Sequence, residues 1–222
     1  MPQLHIAIML FILLGAFPAQ AHAPLRVRGT IAAIDDAGIT VKERDNVLRR
    51  LSINPQTKYA AVVPSSLTAI QVGSYIGSAV KLSANHLIAV EIALVPVSMR
   101  GGRVGYYSWD PLPDTSKDDD NGDKGVTQTT EPIAAASTPL TPTIMTNGVV
   151  ISQKVSFGGR ILTVNLAGDK IVMIRVRSHA PIVEFVQATH TLVKLGSAVV
   201  VWTKPGNEAR LVAVGQGVTP PM

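Results

Sequence analysis

The chain has 222 residues, 46% apolar and 16% charged, with a net charge of +5 and no cysteine. That length is compatible with one large domain or two small ones. The lack of cysteine excludes disulfides, thiolate metal sites and a lipid-modified cysteine.

The first stretch, MPQLHIAIMLFILLGAFPAQAHAPLRV, holds an apolar run from Ile6 to Phe17 broken by one glycine. That run is too short to span a bilayer and has the length of a signal-peptide core. Pro18 ends it, and Ala19-Gln20-Ala21 and Ala21-His22-Ala23 both fit a cleavage frame. The second frame would leave Pro24 after the cut, so a signal peptide over 1–21 and a mature chain from His22 are expected. The region before the run carries no lysine or arginine, unlike a typical leader. The expected address is periplasmic or secreted.

Charge is unevenly spread. Residues 22–98 carry 8 Lys/Arg against 5 Asp/Glu, residues 99–145 carry 4 against 7, and residues 146–222 carry 8 against 3. Two basic parts flank an acidic middle, which suits contact with polyanions.

An internal repeat organises the chain. Ile39 to Gly73 aligns without a gap to Leu162 to Gly196 at an offset of 123. Leu51 and Ile53 meet Ile174 and Val176, and Gly73-Ser74 meets Gly196-Ser197. Upstream, "RGTIAAIDDAGITV" echoes "NGVVISQKVSFGGRILTV", with a longer hairpin in the second copy. The spacing predicts strands over Val27–Ile34 and from Ile39, with turns at Asp35-Asp36-Ala37-Gly38 and Arg44-Asp45-Asn46. "VLRRLSI" alternates, with Val47, Leu51 and Ile53 on one face, and Val172, Ile174 and Val176 repeat the pattern. A short helix capped at Ser65 and closed by Gly73 follows, then strands over Ser74–Leu82 and Leu87–Val95. Three strands, a short helix and two strands is the order of an OB-type barrel. The expected fold is all-β: two tandem OB-like barrels from an internal duplication, over 22–98 and 144–222, each with one short helix between its third and fourth strands. A two-sheet sandwich is the alternative.

Between the copies, residues 99–113 hold Tyr106, Tyr107 and Trp109 beside Arg100, Arg103 and Asp110. They read as an aromatic clasp over the barrels, with a ligand platform as the alternative. Residues 114–143 are rich in Asp, Ser, Thr and Pro, and read as a flexible linker.

At "MRGGRVGYYSWD" and "TIMTNGVV" the chain resembles a family of secreted bacterial proteins of unassigned function built from tandem OB-like β modules. Relatives read Met-Arg-Gly…Gly-Glu-Gly-His…Pro-Trp-Asp, then Thr-Met-Thr-Asn. The likeness extends over "AAVVPSSLTAIQVGSYIG" and "GVTPPM". It implies an exported OB-like fold and brings no activity. Many relatives are labelled metal ABC transporter permeases, a label that needs several spans. Where relatives carry Glu and His, this chain has Val104 and Tyr106.

Site chemistry is sparse. Lys117-Asp118-Asp119-Asp120-Asn121-Gly122 suggests a calcium loop, but Lys117 and Gln128 fall where the anchoring carboxylates belong. His22, His86, His179 and His190 form no H-x-H or H-x-x-x-H pair, so no metal or cofactor is expected. No nucleophile elbow, P-loop or dinucleotide fingerprint occurs. Asp35, Glu91 and Glu184 are carboxylates that convergence would make catalytic. Tyr59, Tyr75, Phe157, Phe185 and Trp202 are expected mostly in the core, which makes nucleic acid an unexpected partner. Arg50, Arg175 and Arg177 fall on the solvent faces of the third strands. With Tyr106, Tyr107 and Trp109 they are the candidate ligand-binding residues. The reading is an exported, non-catalytic binding or envelope-associated module, its partner an anionic envelope polymer or another protein. The alternative is a periplasmic metal-handling accessory protein, or an enzyme with a carboxylate-based site.

Overall fold

The computed structural model describes residues 26–100, 105–116, 139–166, 168 and 170–220. The proposed signal peptide, His22, Arg103, Val104 and the Lys117–Gly122 run lie outside them. The described chain is nearly all strand, because Val, Ile and Thr dominate the segments between Gly, Asn and Asp turns. The first half forms β1 (Arg26–Asp35), β2 (Gly38–Lys42), β3 (Leu48–Ser52), β4 (Lys58–Pro64), β5 (Tyr75–Ser83), β6 (His86–Leu94) and β7 (Gly105–Pro113). The second forms β8 (Leu140–Ser156), β9 (Gly159–Asn165), β10 (Ile171–Arg177), β11 (Ile182–Ala188), β12 (Ala198–Lys204) and β13 (Glu208–Gly215).

Two closed five-stranded rings of OB-like order emerge. One runs β1-β2-β3-β13-β12 and returns to β1. The other runs β8-β9-β10-β6-β5 and returns to β8. In each ring the third strand lies parallel to the last, through Ser52 beside Glu208 in the first and Arg175 beside Ile88 in the second. The first ring packs Val27, Ile31, Val41, Leu51, Val201 and Val212 inside. The second packs Ile76, Val80, Ile92, Leu162, Ile174 and Val176 inside.

Each ring takes three strands from one half of the chain and two from the other. The expectation of one self-contained barrel in each copy therefore does not hold. The physical reason is a strand that the periodicity concealed. β4 and β11 show little polar–apolar contrast in sequence, because apolar Ala61, Val63 and Val186 sit beside Ala60, Val62, Val183 and Phe185, which are buried in a core between the rings. β4 leaves the first ring alongside β13, pairs antiparallel with β11, and delivers the chain to β5 in the second ring. β11 does the reverse, alongside β6 and into β12. The expected short helices are single 3-10 turns, Leu67–Ala69 and His190–Leu192, and they follow the fourth strand of each half. Ser65 caps nothing: Ser66 precedes the first turn and makes no side-chain cap bond.

The registers of the two rings correspond position by position under the sequence alignment. Thr30 faces Ala198 as Val149 faces Tyr75. Bulges fall between Ile31 and Ala33 and between Val150 and Ser152, again at aligned positions. Gly29 and Gly148 are aligned as well. A Cβ on Gly29 would lie 1.9 Å from the Lys42 carbonyl oxygen, and one on Gly148 would lie 2.3 Å from that of Asn165. Both are glycine because the neighbouring backbone leaves no room.

The segment expected as a clasp is partly a strand. β7 pairs with the first half of β8, from Gly105 opposite Asn147 to Pro113 opposite Leu140. Order extends into the expected linker: Asp114 binds Lys81 at 2.8 Å, Ser116 is buried, and β8 already begins at Leu140.

Candidate functional site

Two surfaces carry the chemistry. The first is the outer face of β8–β10, at the far end of the second ring. Here Lys154 of β8 lies opposite Ile161 of β9, which lies opposite Arg175 of β10. The next row on the same face is Ser156, Gly159 and Arg177. Strands stand ~4.8 Å apart, so Lys154 and Arg175 bracket a width of roughly 10 Å. Beyond Ser156 and Gly159 the hairpin turns through Phe157-Gly158, with Gly158 at a φ of 70°. Phe157 is fully exposed at that tip, with a relative exposure of 106%, and Val155 beside it reaches 79%. Phe157 was expected in the core; the longer hairpin of the second copy carries it past the end of the ring.

These three strands include Lys154, Arg160, Arg175 and Arg177 and no Asp or Glu. Arg160 is committed to structure: its Nη1 donates to Gln153 Oε1 at 2.9 Å and to the Leu67 carbonyl at 3.2 Å. The equivalent strands of the first ring differ in sign balance. Arg50 on β3 binds Asp35, and Arg49 binds Glu43. The Arg50 hydrogen bond is the main cause holding the Asp35 carboxyl below its ordinary range. Arg50 thus sits in the other ring from Arg175 and Arg177 and is already neutralised. The structure brings Arg175 and Arg177 together and leaves Arg50 apart.

The second surface is the seam between β1 and β7. Arg26 and Arg28 flank buried Val27, so both point outward from the first ring. β7 meets them. The Arg26 guanidinium stacks 3.4 Å from the Trp109 ring centroid, and Tyr107 meets Trp109 edge-on at 5.8 Å. Asp110 accepts hydrogen bonds from Arg26 at 3.1 Å and lies 2.8 Å from Arg28. Asn147 Nδ2 donates to the Tyr107 hydroxyl at 3.0 Å. Burial lowers the Arg26 pKa, and Asp110 opposes that shift. Tyr106 points away, 40% exposed, with Lys170 Nζ 4.3 Å from its ring centroid.

Glu91 on β6 completes the seam. It lies opposite Ala79 on β5, which lies opposite Met145 on β8, and Met145 lies opposite Tyr107, so Glu91 stands three strands from Tyr107 and feels the seam through the charge of Arg28. Burial raises its pKa from 4.5 to about 7, with the Arg28 charge opposing. Asp35 is at the β1–β2 turn and Glu184 is exposed on β11 beside Leu94, so the three carboxylates considered from sequence occupy three different places. No three His, Cys, Asp or Glu side chains that could share a metal ion come together among the described residues. No helix among them is long and apolar enough to cross a membrane.

Sequence reasoning missed Arg26 and Arg28. An Arg-Val-Arg triplet at the start of a strand reads as two solvated side chains, and only the partner strand β7 reveals what they touch. No family model, curated protein or solved structure matches the chain.

Proposed function

We propose that the protein is an exported, non-catalytic binding module for an anionic envelope component, engaged by the outer face of β8–β10. The observation that carries this reading is an outer face that presents Lys154 and Arg175 on three strands whose own sequences hold no Asp or Glu, beside an uncovered Phe157. OB-type barrels commonly bind polymers on the face of their second and third strands and at the adjoining first hairpin, which are β9, β10 and the β8–β9 turn here. The neutralised Arg50 surface of the first ring supplies the internal contrast. The signal-like N-terminal run and the family resemblance support the exported address.

The test is binding of the mature protein to polygalacturonate, a carboxylate polymer, followed as a function of salt. Binding should weaken as salt rises, and Lys154→Ala with Arg175→Ala should flatten that dependence while Arg50→Ala leaves it unchanged. No binding at low salt, or equal loss in Arg50→Ala, would overturn the assignment.

Glu91 favours a second reading, a carboxylate-based enzyme site, because a carboxyl with a pKa near 7 beside an arginine is poised for proton transfer. Turnover by the protein that vanished in Glu91→Gln would establish it.

A further inference from the structure

The β8–β9 hairpin has a layered chemistry along its own axis. At the tip stands Phe157, exposed over its whole side chain. The first row behind it is Ser156, Gly159 and Arg177; the second is Val155, Arg160 and Val176; the third is Lys154, Ile161 and Arg175. Strands rise ~3.4 Å per residue, so the outward cations of the first and third rows lie within roughly 10 Å of the tip, whereas Arg160, in the row of buried Val176, is held by Gln153 and Leu67. Val155 adds a second exposed apolar side chain inside this collar. An isolated exposed leucine or valine needs no explanation, but a fully projecting phenylalanine ringed by cations on strands without a carboxylate has a specific complement.

We propose that this hairpin is a membrane-surface anchor: Phe157 and Val155 enter the headgroup boundary of an anionic bilayer while the outward cations behind them, Lys154 and Arg175 foremost, meet the lipid phosphates. The proposal rests on the polyanion-binding reading of the same face and names its partner as a lipid surface. The depth is right, since an interfacial side chain penetrates ~5–10 Å and the cations then sit at headgroup level. The charge is right, since each lysine or arginine near an anionic leaflet strengthens attachment. The geometry also separates the two contributions. Phe157 sits in a turn, with no strand partner of its own, so it can be changed without disturbing the ring.

The experiment uses the full mature chain and vesicles of phosphatidylglycerol mixed with phosphatidylcholine, against pure phosphatidylcholine, read by co-sedimentation. The parent should bind the anionic vesicles and not the neutral ones. Phe157→Ser should lower vesicle affinity by roughly tenfold to a hundredfold, the worth of burying one such side chain, and lower polygalacturonate binding by less. Lys154→Ala with Arg175→Ala should weaken both. A Phe157→Trp variant should show a blue-shifted emission only with anionic vesicles. If Phe157→Ser binds those vesicles as well as the parent, the anchor is wrong. If the parent binds polygalacturonate but not the vesicles, the anchor fails while the polyanion reading survives; if it binds neither, both fall.

Discussion

Glu91 offers the sharpest quantitative test of the seam. Its carboxyl has a pKa of about 7 in the folded protein against 4.5 when free. The folded state therefore holds its proton over a pH range in which the unfolded chain has released it. Stability from this group is fully present below pH 4.5, falls as pH rises through that window, and reaches its full deficit above about pH 7. The 2.5-unit difference corresponds to about 3 kcal/mol at 1.36 kcal/mol per unit. Glu91→Gln keeps the size of the side chain and removes the charge. It should leave stability nearly unchanged at pH 4.5 and raise it by up to about 3 kcal/mol at pH 8. Arg28 is not orphaned by the substitution, because Asp110 still lies 2.8 Å away. The other perturbed carboxyls, Asp35, Asp114 and Glu208, are held below their ordinary values, so their contributions vary in more acidic solution and do not overlap this window.

Urea unfolding at pH 4.5, 6 and 8 measures the effect directly as a shift of midpoint at constant slope. Parallel curves for parent and variant from pH 4.5 to 8 would refute the buried-carboxyl account. A variant less stable at pH 8 would show instead that ionised Glu91 makes a net favourable pair with Arg28. The repeat adds a second variant. Leu211 faces Trp202 as Glu91 faces Ala79, and Ala79 and Trp202 are aligned positions, so Leu is the side chain this place takes in the other ring. Glu91→Leu should follow the same pH pattern as Glu91→Gln.

The exchanged strands predict that cutting the chain anywhere in 117–138 leaves both fragments in one particle of unchanged size by light scattering, separable only under denaturing conditions; fragments that part in native buffer would contradict the pairing of β1 with β12 and β5 with β8. Trp109→Ala should lower stability by about 1–3 kcal/mol, less than a fully buried aromatic, because the ring is partly exposed but stacks on Arg26; a neutral effect on melting would remove the clasp. Gly148→Ala should be far more disruptive than Gly158→Ala by thermal melting, since its Cβ would meet backbone at 2.3 Å whereas nothing lies within 4 Å of the latter, which pays only for its positive φ. Mass spectrometry of protein from the native host should show an N-terminus near His22, and an uncut cytoplasmic product would end the export reading.

The five barrel strands of each half were legible because turn chemistry and alternation agree there: Asn46 does adopt a positive φ, and Leu51, Ile174 and Val176 are fully buried. What was not legible is which half each strand serves. Alternation reports that a residue has an inside and says nothing of whose inside it is. β4 escaped for a related reason, since Tyr59 to Val63 carry no charged side chain to mark the period, and on β11 the apolar but exposed Val186 blurs the contrast that Glu184 begins. Val47 shows the converse limit. It keeps the phase of Leu51 but stands at the strand's entry, where the ring has already opened, and it is exposed. The site was legible only on β10, where Arg175 and Arg177 alternate with buried residues. Phe157 was misread because residue type suggested burial, and only the hairpin's length placed it outside.

Strand exchange also separates what the two rings have in common from where they differ. Each ring's third strand closes against a strand from the other half, so closure and the buried core between the rings tie both halves to one shared structure. The registers, both pairs of bulges and the crowded glycines are held in common, because changing any of them would misalign a strand that the other half requires. The outer faces of β2–β3 and β9–β10 enter none of these joints. On one, Arg50 is balanced by Asp35. On the other, Arg175 and Arg177 share strands with no carboxylate, and the hairpin is longer. The paired frame constrains what both halves must keep, and the difference between the two unconstrained faces is where a binding function has room to reside.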